Sequence, residues 1–562
     1  MTQTCERFRV CNEAHGLISN VGDHSYSYMN KRKASGGFVN PHISLLQDQS
    51  RDHSLGGDAN VATLDDLCSP LVSVHSSAKG TGECRGMLSQ RIDTAIVGGR
   101  LVTDRGVIEG DLGIANGVIV SIGQSIPLAE TYITAKGRLV MPGGVDPHAH
   151  IEQMSGMGQW NADTFETATR SAAMGGTTSV VSFAAQAPGQ MLSDTVSDYS
   201  SRAARGAMID YAFHITLTDL SVPDFEGSLA SLIAAGHRSL KVFTTYNIQL
   251  NDIEILHILR IARAAGALVC VHAENDAIVT QERDALIAAG HTKPRDHARS
   301  RPRMAEIEAI ERVCRFAEHL NQPVMLFHVS TSEGAEAVRI AQRRGAPIWA
   351  ETCPHYLFMT EQVLDRPGIE GAKWMCSPPQ RQEEDQAALW QALREGVVSL
   401  VSSDHAPYRF DETGKLASGP DAGFHQIANG LPGLETRLPL MFDALVSKRG
   451  EPELFAELTA QAPARLYGLE RKGRISEGMD ADLVIWNPEK AVTYGANDLH
   501  DNVGYNPWEG YSVKGWPEHV LLRGETLVKD GRFFGTPGRG KWIDRPVLAV
   551  RASVATSQSG SS

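Results

Sequence analysis

The stretch Met141-Pro142-Gly143-Gly144-Val145-Asp146-Pro147-His148-Ala149-His150 decides how the rest of the chain is interpreted. It follows the apolar residues Leu139 and Val140, which predicts a strand that runs into a turn. Side chains two positions apart in a strand point to the same face, so both imidazoles can be directed at one point. That arrangement suits a divalent metal ion. It also fits a polar turn after a buried strand, so the choice depends on the rest of the chain.

Length and charge exclude several classes of protein. A chain of 562 residues with 42% hydrophobic residues can form a large domain and smaller additional units. The formal net charge of −13 argues against binding to nucleic acid or to an anionic membrane surface. We also find no apolar run that reaches the roughly 18 residues of a membrane-spanning helix. We therefore expect neither nucleic acid nor a membrane as a partner.

The cysteines are scattered through the chain, and no two of them form a C-x-x-C pair. They are Cys5, Cys11, Cys68, Cys84, Cys270, Cys314, Cys353 and Cys376. This distribution argues against a disulfide framework and against a zinc–thiolate site. It is typical of a reducing compartment, and we expect a cytoplasmic protein whose metal ligands are nitrogen and oxygen atoms.

Both chain ends differ in composition from the centre. Residues 1–88 are rich in Ser, Gly, Asn, His and Asp and lack a helical or strand period, which predicts a disordered extension. We expect residues 1–86 to be dispensable, because Met87 directly precedes the first structured segment. Residues 546–562 are predicted to be a flexible tail.

Short strands with glycine-bearing turns flank the central part of the chain. They are predicted at residues 92–97, 100–103, 111–114, 118–123, 481–486, 519–523 and 525–528. We expect residues 89–140 and 460–545 to join in one composite β-sandwich, split between the two ends of the chain.

Between these flanks, apolar strand candidates alternate with helical segments. We place the strands at residues 139–145, 177–183, 211–216, 239–243, 267–271, 323–327, 348–351 and 397–401. Eight parallel strands over residues 141–459 predict an α/β fold, a (β/α)8 TIM barrel. A doubly wound sheet is the alternative, but the first strand is not followed by the G-x-G-x-x-G turn typical of that fold.

Ionisable residues occupy the ends of five predicted strands, where the site of such a barrel lies. They are His148, His150, Lys241, His272, His328 and Asp404. Lys241 is unusual, since an ammonium group cannot bind a metal. Either its head reaches solvent past an apolar stem, or its neutral amine captures carbon dioxide and becomes a carbamate with two oxygens that can bridge metals.

The chain resembles the cyclic amidohydrolases, and within them the dihydropyrimidinase/D-hydantoinase family, over roughly residues 92–542. The motifs that carry the resemblance are His148-Ala149-His150, Lys241, Val271-His272-Ala273-Glu274-Asn275, His328, Glu351-Thr352-Cys353-Pro354, Cys376-Ser377-Pro378-Pro379 and Ser403-Asp404-His405. The resemblance implies that Lys241 is N6-carboxylysine bridging two divalent ions, commonly zinc. One ion would be bound by His148, His150 and Asp404, and the other by His272 and His328.

The resemblance also implies an activity, namely hydrolysis of a cyclic amide bond by a metal-activated water. Asp404 would transfer the proton to the leaving nitrogen, and Tyr246 would donate a hydrogen bond to the developing oxyanion. Ser377 and Asn429 match positions that hold the cyclic amide, and Phe243 matches an aromatic that shapes the substrate pocket. The expected substrates are neutral cyclic diamides, dihydropyrimidines or 5-substituted hydantoins, which open to N-carbamoyl amino acids.

Related activities remain as alternatives. Dihydroorotases usually carry an arginine two residues after the second histidine and allantoinases tend to carry asparagine, whereas this chain has Glu152. We expect Glu152 to repel an anionic substrate, which disfavours dihydroorotase activity. A non-catalytic relative, similar to the collapsin-response-mediator proteins, is less favoured because all six ligand residues are kept. Members of the family are often tetramers, so we expect a homotetramer.

Overall fold

The computed structural model describes residues 91–546, except Ser125 and Pro127. The predictions of an extension over residues 1–88 and of a tail over residues 546–562 therefore concern parts of the chain outside the described residues, apart from residue 546 itself. The four cysteines within the described part, Cys270, Cys314, Cys353 and Cys376, are free and buried. Across the same residues, none of the helices has both the length and the apolar character that spanning a membrane requires.

The first sheet has nine strands drawn from both ends of the chain. They are β1 (Ile92–Thr103), β2 (Gly106–Ala115), β3 (Val118–Gly123), β4 (Ala129–Thr134), β5 (Leu139–Pro142), β14 (Leu483–Thr493), β15 (Ser512–Leu522), β16 (Glu525–Lys529) and β17 (Arg532–Phe533). The antiparallel pairing of β14 with β5 joins the late strands to the early ones. The expectation that the two sets of strands form one unit is confirmed.

The second sheet has eight strands, and every recorded pairing between neighbours is parallel. They are β6 (Gly144–Ala149), β7 (Thr177–Ala185), β8 (Asp210–Thr216), β9 (Ser239–Phe243), β10 (Leu268–His272), β11 (Val324–Leu326), β12 (Ile348–Thr352) and β13 (Leu400–Val401). Backbone hydrogen bonds between β6 and the segment after β13 connect the first strand to the last: His150 N donates to His405 O at 2.7 Å. The predicted TIM barrel is confirmed.

Helices follow most of the barrel strands. They are α1 (Phe165–Met174), α2 (Leu192–Gly206), α3 (Phe225–Ala234), α4 (Asp252–Ala265), α5 (Asp276–Ala288), α6 (His297–Ser300), α7 (Arg303–Leu320), α8 (Ser332–Arg343), α9 (Pro354–Phe358), α10 (Glu383–Arg394), α11 (Arg437–Phe442), α12 (Pro452–Ala456) and α13 (Ala462–Tyr467). Where α4 begins, Asn251 and Glu254 form a reciprocal capping box. Residues of these helices pack with the strands in one large apolar core.

The first predicted barrel strand, residues 139–145, is wrong, because it joins two strands of different sheets. β5 pairs with β1 and β14, whereas β6 pairs with β7. Gly143 lies between them, where its backbone N–H donates to Asp482 O at 2.8 Å. A Cβ atom there would lie 2.2 Å from Thr178 Oγ1, so only glycine allows the chain to pass from one sheet to the other.

Buried charges fix the nine-stranded sheet to the barrel. Lys472 Nζ lies 2.6 Å from Asp210 Oδ2 at the start of β8 and 2.7 Å from Asp482 Oδ2 just before β14. Nearby, the rings of Phe442 and Trp486 stack with centroids 4.3 Å apart. These contacts hold the N-terminal ends of the barrel strands against the nine-stranded sheet. The opposite end of the barrel, where the strands terminate, is therefore free to form a site.

Candidate active site

One end of the barrel collects the six residues predicted as metal ligands. They are His148, His150, Lys241, His272, His328 and Asp404. Asp404 Oδ1 lies 3.0 Å from His148 Nε2 and 3.5 Å from His150 Nε2. These three side chains could hold one metal ion, since one ligand atom from each lies within 4.8 Å of the others.

The other two histidines lie beside this trio. The ring centroid of His328 is 5.4 Å from that of His148 and 4.5 Å from that of His272. His328 Nδ1 is buried without a hydrogen-bond partner among the described residues. An unpaired imidazole nitrogen in a buried site is costly unless a ligand occupies it, which is consistent with a second cation position.

Lys241 is buried among aromatic rings, and its side chain is only 1% exposed, so the alternative of a head that reaches solvent is excluded. Its Nζ atom lies 4.0 Å from the ring centroid of Phe327 and 4.7 Å from that of Phe243. Within the described residues, Nζ has no hydrogen-bond partner. Burial lowers the pKa of Lys241 to about 7. A neutral amine is therefore accessible near neutral pH, which is the form that reacts with carbon dioxide.

The outer nitrogens of the first two histidines are occupied by oxygen acceptors. His148 Nδ1 bonds Glu351 Oε1, and His150 Nδ1 lies 2.8 Å from Gln153 Oε1. Because a carboxylate oxygen only accepts, His148 keeps a proton on Nδ1, and Nε2, which faces Asp404, is the nitrogen that would bind a metal once it gives up its own proton. Outer partners of this kind orient metal-binding histidines. Neither Glu351 nor Gln153 was predicted as part of the site.

Charge around His148 favours a cation at the centre of the trio. Burial alone would lower the pKa of His148, but the carboxylates of Asp404 and Glu351 outweigh it and raise the pKa to about 9. Burial also raises the pKa of Asp404, yet the imidazoles of His148 and His150 hold it well below its usual range. Without a metal the position therefore attracts a proton, and a divalent ion would compete for the same place.

His272 has the opposite tautomer. Its Nε2 lies 2.7 Å from Glu274 Oε2, which leaves Nδ1 for a metal. Burial lowers the pKa of His272 to about 4, so the ring is neutral and able to donate a lone pair. Arg301 Nη1 in turn donates to Glu274 Oε2 at 2.5 Å. No role was predicted for Glu274 or Arg301, although Glu274 stands two positions after a predicted ligand.

The predicted substrate residues surround the same end of the barrel. The ring of Tyr246 lies edge-on to His272 at a centroid distance of 5.2 Å, and burial raises the pKa of Tyr246 to about 12, so its phenol is a neutral donor. Phe243 lies 5.5 Å from the ring of His272. Ser377 Oγ and Asn429 Oδ1 are buried atoms without hydrogen-bond partners among the described residues, and both are therefore available to a ligand.

Asp146 and Arg437 support the backbone that carries the first two histidines. Asp146 Oδ1 accepts from the backbone N–H of His148 and of Ser403, each at 3.2 Å. Arg437 Nε lies 3.3 Å from Asp146 Oδ2. One buried carboxylate thus links the end of β6 to the residue before Asp404, which fixes the distance between ligands from the first and last strands.

Glu152 contacts the start of a helix. Its Oε1 accepts a hydrogen bond of 2.8 Å from Phe165 N at the start of α1, where the helix dipole favours an anion. The side chain is therefore engaged with a helix end. The expectation that Glu152 repels an anionic substrate stays a prediction.

Comparison with known proteins decides the family. Residues 139–527 match the amidohydrolase family. The chain belongs to the amidohydrolase family. The expectation that the protein is a hydrolase is thereby confirmed.

Relatives and solved structures agree with this assignment. The chain is 41% identical to the D-hydantoinase of Ralstonia pickettii, over 81% of this chain and 99% of the relative. It is 38% identical to the D-phenylhydantoinase of Escherichia coli K12, over 80% and 97%. A solved D-hydantoinase superposes with a TM-score of 0.78 at 40% identity, and the dihydropyrimidinase of Brevibacillus agri with 0.78 at 34%; each covers 81% of this chain and 99% of the other. The resemblance inferred from the motifs is confirmed.

Proposed function

We propose that this amidohydrolase opens the cyclic amide bond of neutral cyclic diamides, 5-substituted hydantoins or dihydropyrimidines, to give N-carbamoyl amino acids. The observation that carries the proposal is the group of four histidines, one aspartate and one buried unpaired lysine at the barrel mouth. The names of the relatives, D-hydantoinase and D-phenylhydantoinase, support this substrate class over allantoin or dihydroorotate. The completeness of the ligand set argues against a purely binding role.

The donor set fits two divalent cations, and zinc is the metal that we propose. His148, His150 and Asp404 would hold one ion, and His272 and His328 the other, with Lys241 as N6-carboxylysine between them. Imidazole nitrogen and carboxylate oxygen are ligands that suit zinc. When bound, the ions would polarise the substrate carbonyl and lower the pKa of a coordinated water. The buried amine of Lys241, which has no hydrogen-bond partner among the described residues, supports carboxylation. The carbamate would bring two oxygens that can bind the cations.

The residues of the chain then divide the work. Asp404 is anionic at neutral pH and would accept a proton and deliver it to the leaving nitrogen. The neutral phenol of Tyr246 would donate to the oxyanion as it forms. The unpaired oxygens of Ser377 and Asn429 would hold the ring amide, and Phe243 would border the ring substituent.

A panel of ring substrates tests the proposal directly. Zinc-loaded protein is incubated with dihydrouracil, hydantoin, phenylhydantoin, allantoin and dihydroorotate, and ring opening is followed by the loss of ultraviolet absorbance and by mass spectrometry. We expect turnover of the first three compounds. Removal of metal should abolish it, and zinc with bicarbonate should restore it better than zinc alone. Turnover of dihydroorotate or allantoin only would contradict the substrate assignment.

We also propose the assembly and the compartment expected from the sequence, a cytoplasmic homotetramer. We propose the division predicted from the sequence, with the barrel at residues 141–459 and the sandwich at residues 89–140 and 460–545, except that Met141 and Pro142 belong to β5 and so to the sandwich. Light scattering after gel filtration measures the oligomer, and a mass other than four chains would contradict it. Limited proteolysis tests the outer limits of this division, since cleavage should concentrate before residue 89 and after residue 545.

A further inference from the structure

Four side chains at the barrel mouth, three buried and one half-buried, form a closed circuit of contacts. His272 Nε2 contacts Glu274 Oε2 at 2.7 Å, and Glu274 Oε2 accepts from Arg301 Nη1 at 2.5 Å. The guanidinium carbon of Arg301 lies 4.8 Å from the ring centroid of Tyr246. The Tyr246 ring contacts His272 again at 5.2 Å. The Glu274–Arg301 ion pair thus connects His272, the proposed metal ligand, to Tyr246, the proposed oxyanion donor. The proposed function gives this ion pair no chemical step.

The ion pair between Glu274 and Arg301 is buried, which favours a fixed arrangement of the two side chains. Glu274 is 0% exposed and Arg301 is 6% exposed, so neither charge is screened by water. Separation of the two side chains would leave each charge buried without a partner, which costs free energy. The pair is therefore expected to stay in contact in one geometry. Both members are also anchored through the backbone: Thr244 Oγ1 donates to Glu274 O at 2.7 Å, and Arg381 Nη1 donates to Arg301 O at 2.8 Å.

Arginine is suited to this position in a way that lysine is not. The planar guanidinium can donate to a carboxylate along its edge while its face covers an aromatic ring. Tyr246 lies in the loop after β9, and its φ of 72° is in the left-handed region. The direction of its ring therefore depends on side-chain contacts such as the one with Arg301. The backbone N–H of Tyr246 is held by Asp276 Oδ1 at 3.2 Å, but that bond does not orient the ring.

We propose that Arg301 is a positioning residue that orients the Tyr246 phenol through its guanidinium face and the His272 imidazole through Glu274. This inference rests on the proposed function for its Tyr246 half. It gives Arg301 no contact with the substrate. The geometry of the oxyanion donor and of the second metal position is set together by one side chain.

A double-mutant cycle between Arg301 and Tyr246 tests the first half of the proposal. Arg301→Lys keeps the charge opposite Glu274 but removes the planar face. We expect Arg301→Lys to lower kcat about 10-fold with KM nearly unchanged, and Tyr246→Phe to lower kcat by about 10²-fold or more, as for other oxyanion donors. If Arg301 acts through Tyr246, the double variant loses no more than Tyr246→Phe alone. Multiplicative losses, or a wild-type kcat in Arg301→Lys, would overturn this half.

Metal binding tests the second half without any substrate. Glu274→Gln removes the ion pair while an amide oxygen can still accept from His272. We expect zinc affinity at one of two sites to fall by about 10- to 100-fold, the usual effect of replacing the outer partner of a histidine ligand, as measured by competition with a chromophoric chelator. Two sites of wild-type affinity in this variant would overturn the proposed control of His272.

A matched control lies two residues away on the same segment. Arg303 pairs with Asp385 at 2.6 Å on the outer side of the barrel. Arg303→Lys also breaks a two-point arginine–carboxylate pair, so it should lower the melting temperature. It should leave kcat and metal affinity close to wild type, and a loss of either in this control would show that the effect of Arg301→Lys is a general loss of packing. If wild-type protein opens none of the ring substrates, the proposed function fails, and the chelator measurement still decides whether Glu274 controls the metal site.

Discussion

Lys415 offers a sharp test of the electrostatics of this fold. Its side chain is 0% exposed, and Nζ donates to Ala428 O at 3.0 Å and to Met375 O at 3.4 Å. Burial lowers the pKa of Lys415 from 10.5 to about 7, and no carboxylate of the described residues offsets this. The amine ties together two loops that carry Ser377 and Asn429. The perturbation is Lys415→Met, which keeps the length of the side chain and removes the charge and both donors.

The sign of the effect follows from proton binding. Between pH 7 and 10.5 the unfolded chain holds a proton on Lys415 that the folded chain has lost, so the stability of the wild type rises with pH over this range. The full shift corresponds to roughly 5 kcal/mol at 1.36 kcal/mol per unit, and roughly 3 kcal/mol of it is recovered between pH 6.5 and 9.5. Methionine does not titrate, so the variant lacks this pH-dependent contribution to the free energy of unfolding. The two lost hydrogen bonds cost about 1–3 kcal/mol each at any pH.

We therefore expect Lys415→Met to be close to wild type in stability at pH 6.5 and clearly less stable at pH 9.5. Unfolding by urea at the two pH values gives the difference, and thermal melts give a second measurement. With about 2.1 cal/mol/K of unfolding entropy per residue over roughly 450 residues, 3 kcal/mol corresponds to about 3 °C in melting temperature.

Lys472 is the matched control for this experiment. It is buried like Lys415, but it contacts Asp210, Asp480 and Asp482, and their charges outweigh burial and raise its pKa. The stabilisation from a raised lysine pKa is fully present below 10.5 and is lost only as pH rises toward the folded value. Lys472→Met should then be equally destabilised at pH 6.5 and 9.5. An equal loss at both pH values in Lys415→Met would refute the reasoning about an uncompensated charge.

Three further predictions concern the site and the start of the chain. His148→Ala should abolish hydrolysis while circular dichroism shows the fold largely intact; full activity would refute its place among the ligands. Glu351→Gln should weaken zinc binding about 10- to 100-fold in a chelator competition, because the outer nitrogen of His148 loses a charged acceptor; unchanged affinity would count against that orienting role. A chain that begins at Met87 should keep the melting temperature and kcat of the full chain, and failure to fold would show that residues 1–86 are needed.

The strands of the barrel could be predicted because they are buried on both faces. Segments such as Thr177–Ala185 and Leu268–His272 therefore consist of apolar residues with small polar ones, and polar residues mark their ends. The same property hid the boundary between the sheets, since Leu139–Pro142 and Gly144–Ala149 are buried throughout. The edge strand Ala129–Thr134 was missed for the opposite reason, as most of its residues are exposed and its pairing with β1 leaves little pattern.

The inner ligands were recognisable from the chain, but their supports were not. His148 and Glu351 are separated by 203 positions, and only the folded barrel brings them into contact. Arg301 lies in a segment between helices with no motif of its own. Glu152 shows the converse case, since a residue adjacent to the ligands in sequence has its side chain directed to the start of a helix. Sequence position predicts which strand end a residue occupies, whereas the direction of its side chain depends on long-range contacts.

Backbone conformation at the site supports the view that its side chains are held in advance of ligand binding. Tyr246, His328 and Asp404 have φ angles of 72°, 41° and 46°, a region that costs side chains other than glycine about 1–3 kcal/mol each. Such strain persists only where the surroundings fix it, and here the surroundings are buried ion pairs and ring contacts. A fold that keeps three strained residues at one barrel mouth gives up stability there to direct a phenol, an imidazole and a carboxylate at the same small volume. That is the geometry a hydrolytic site requires before any substrate arrives.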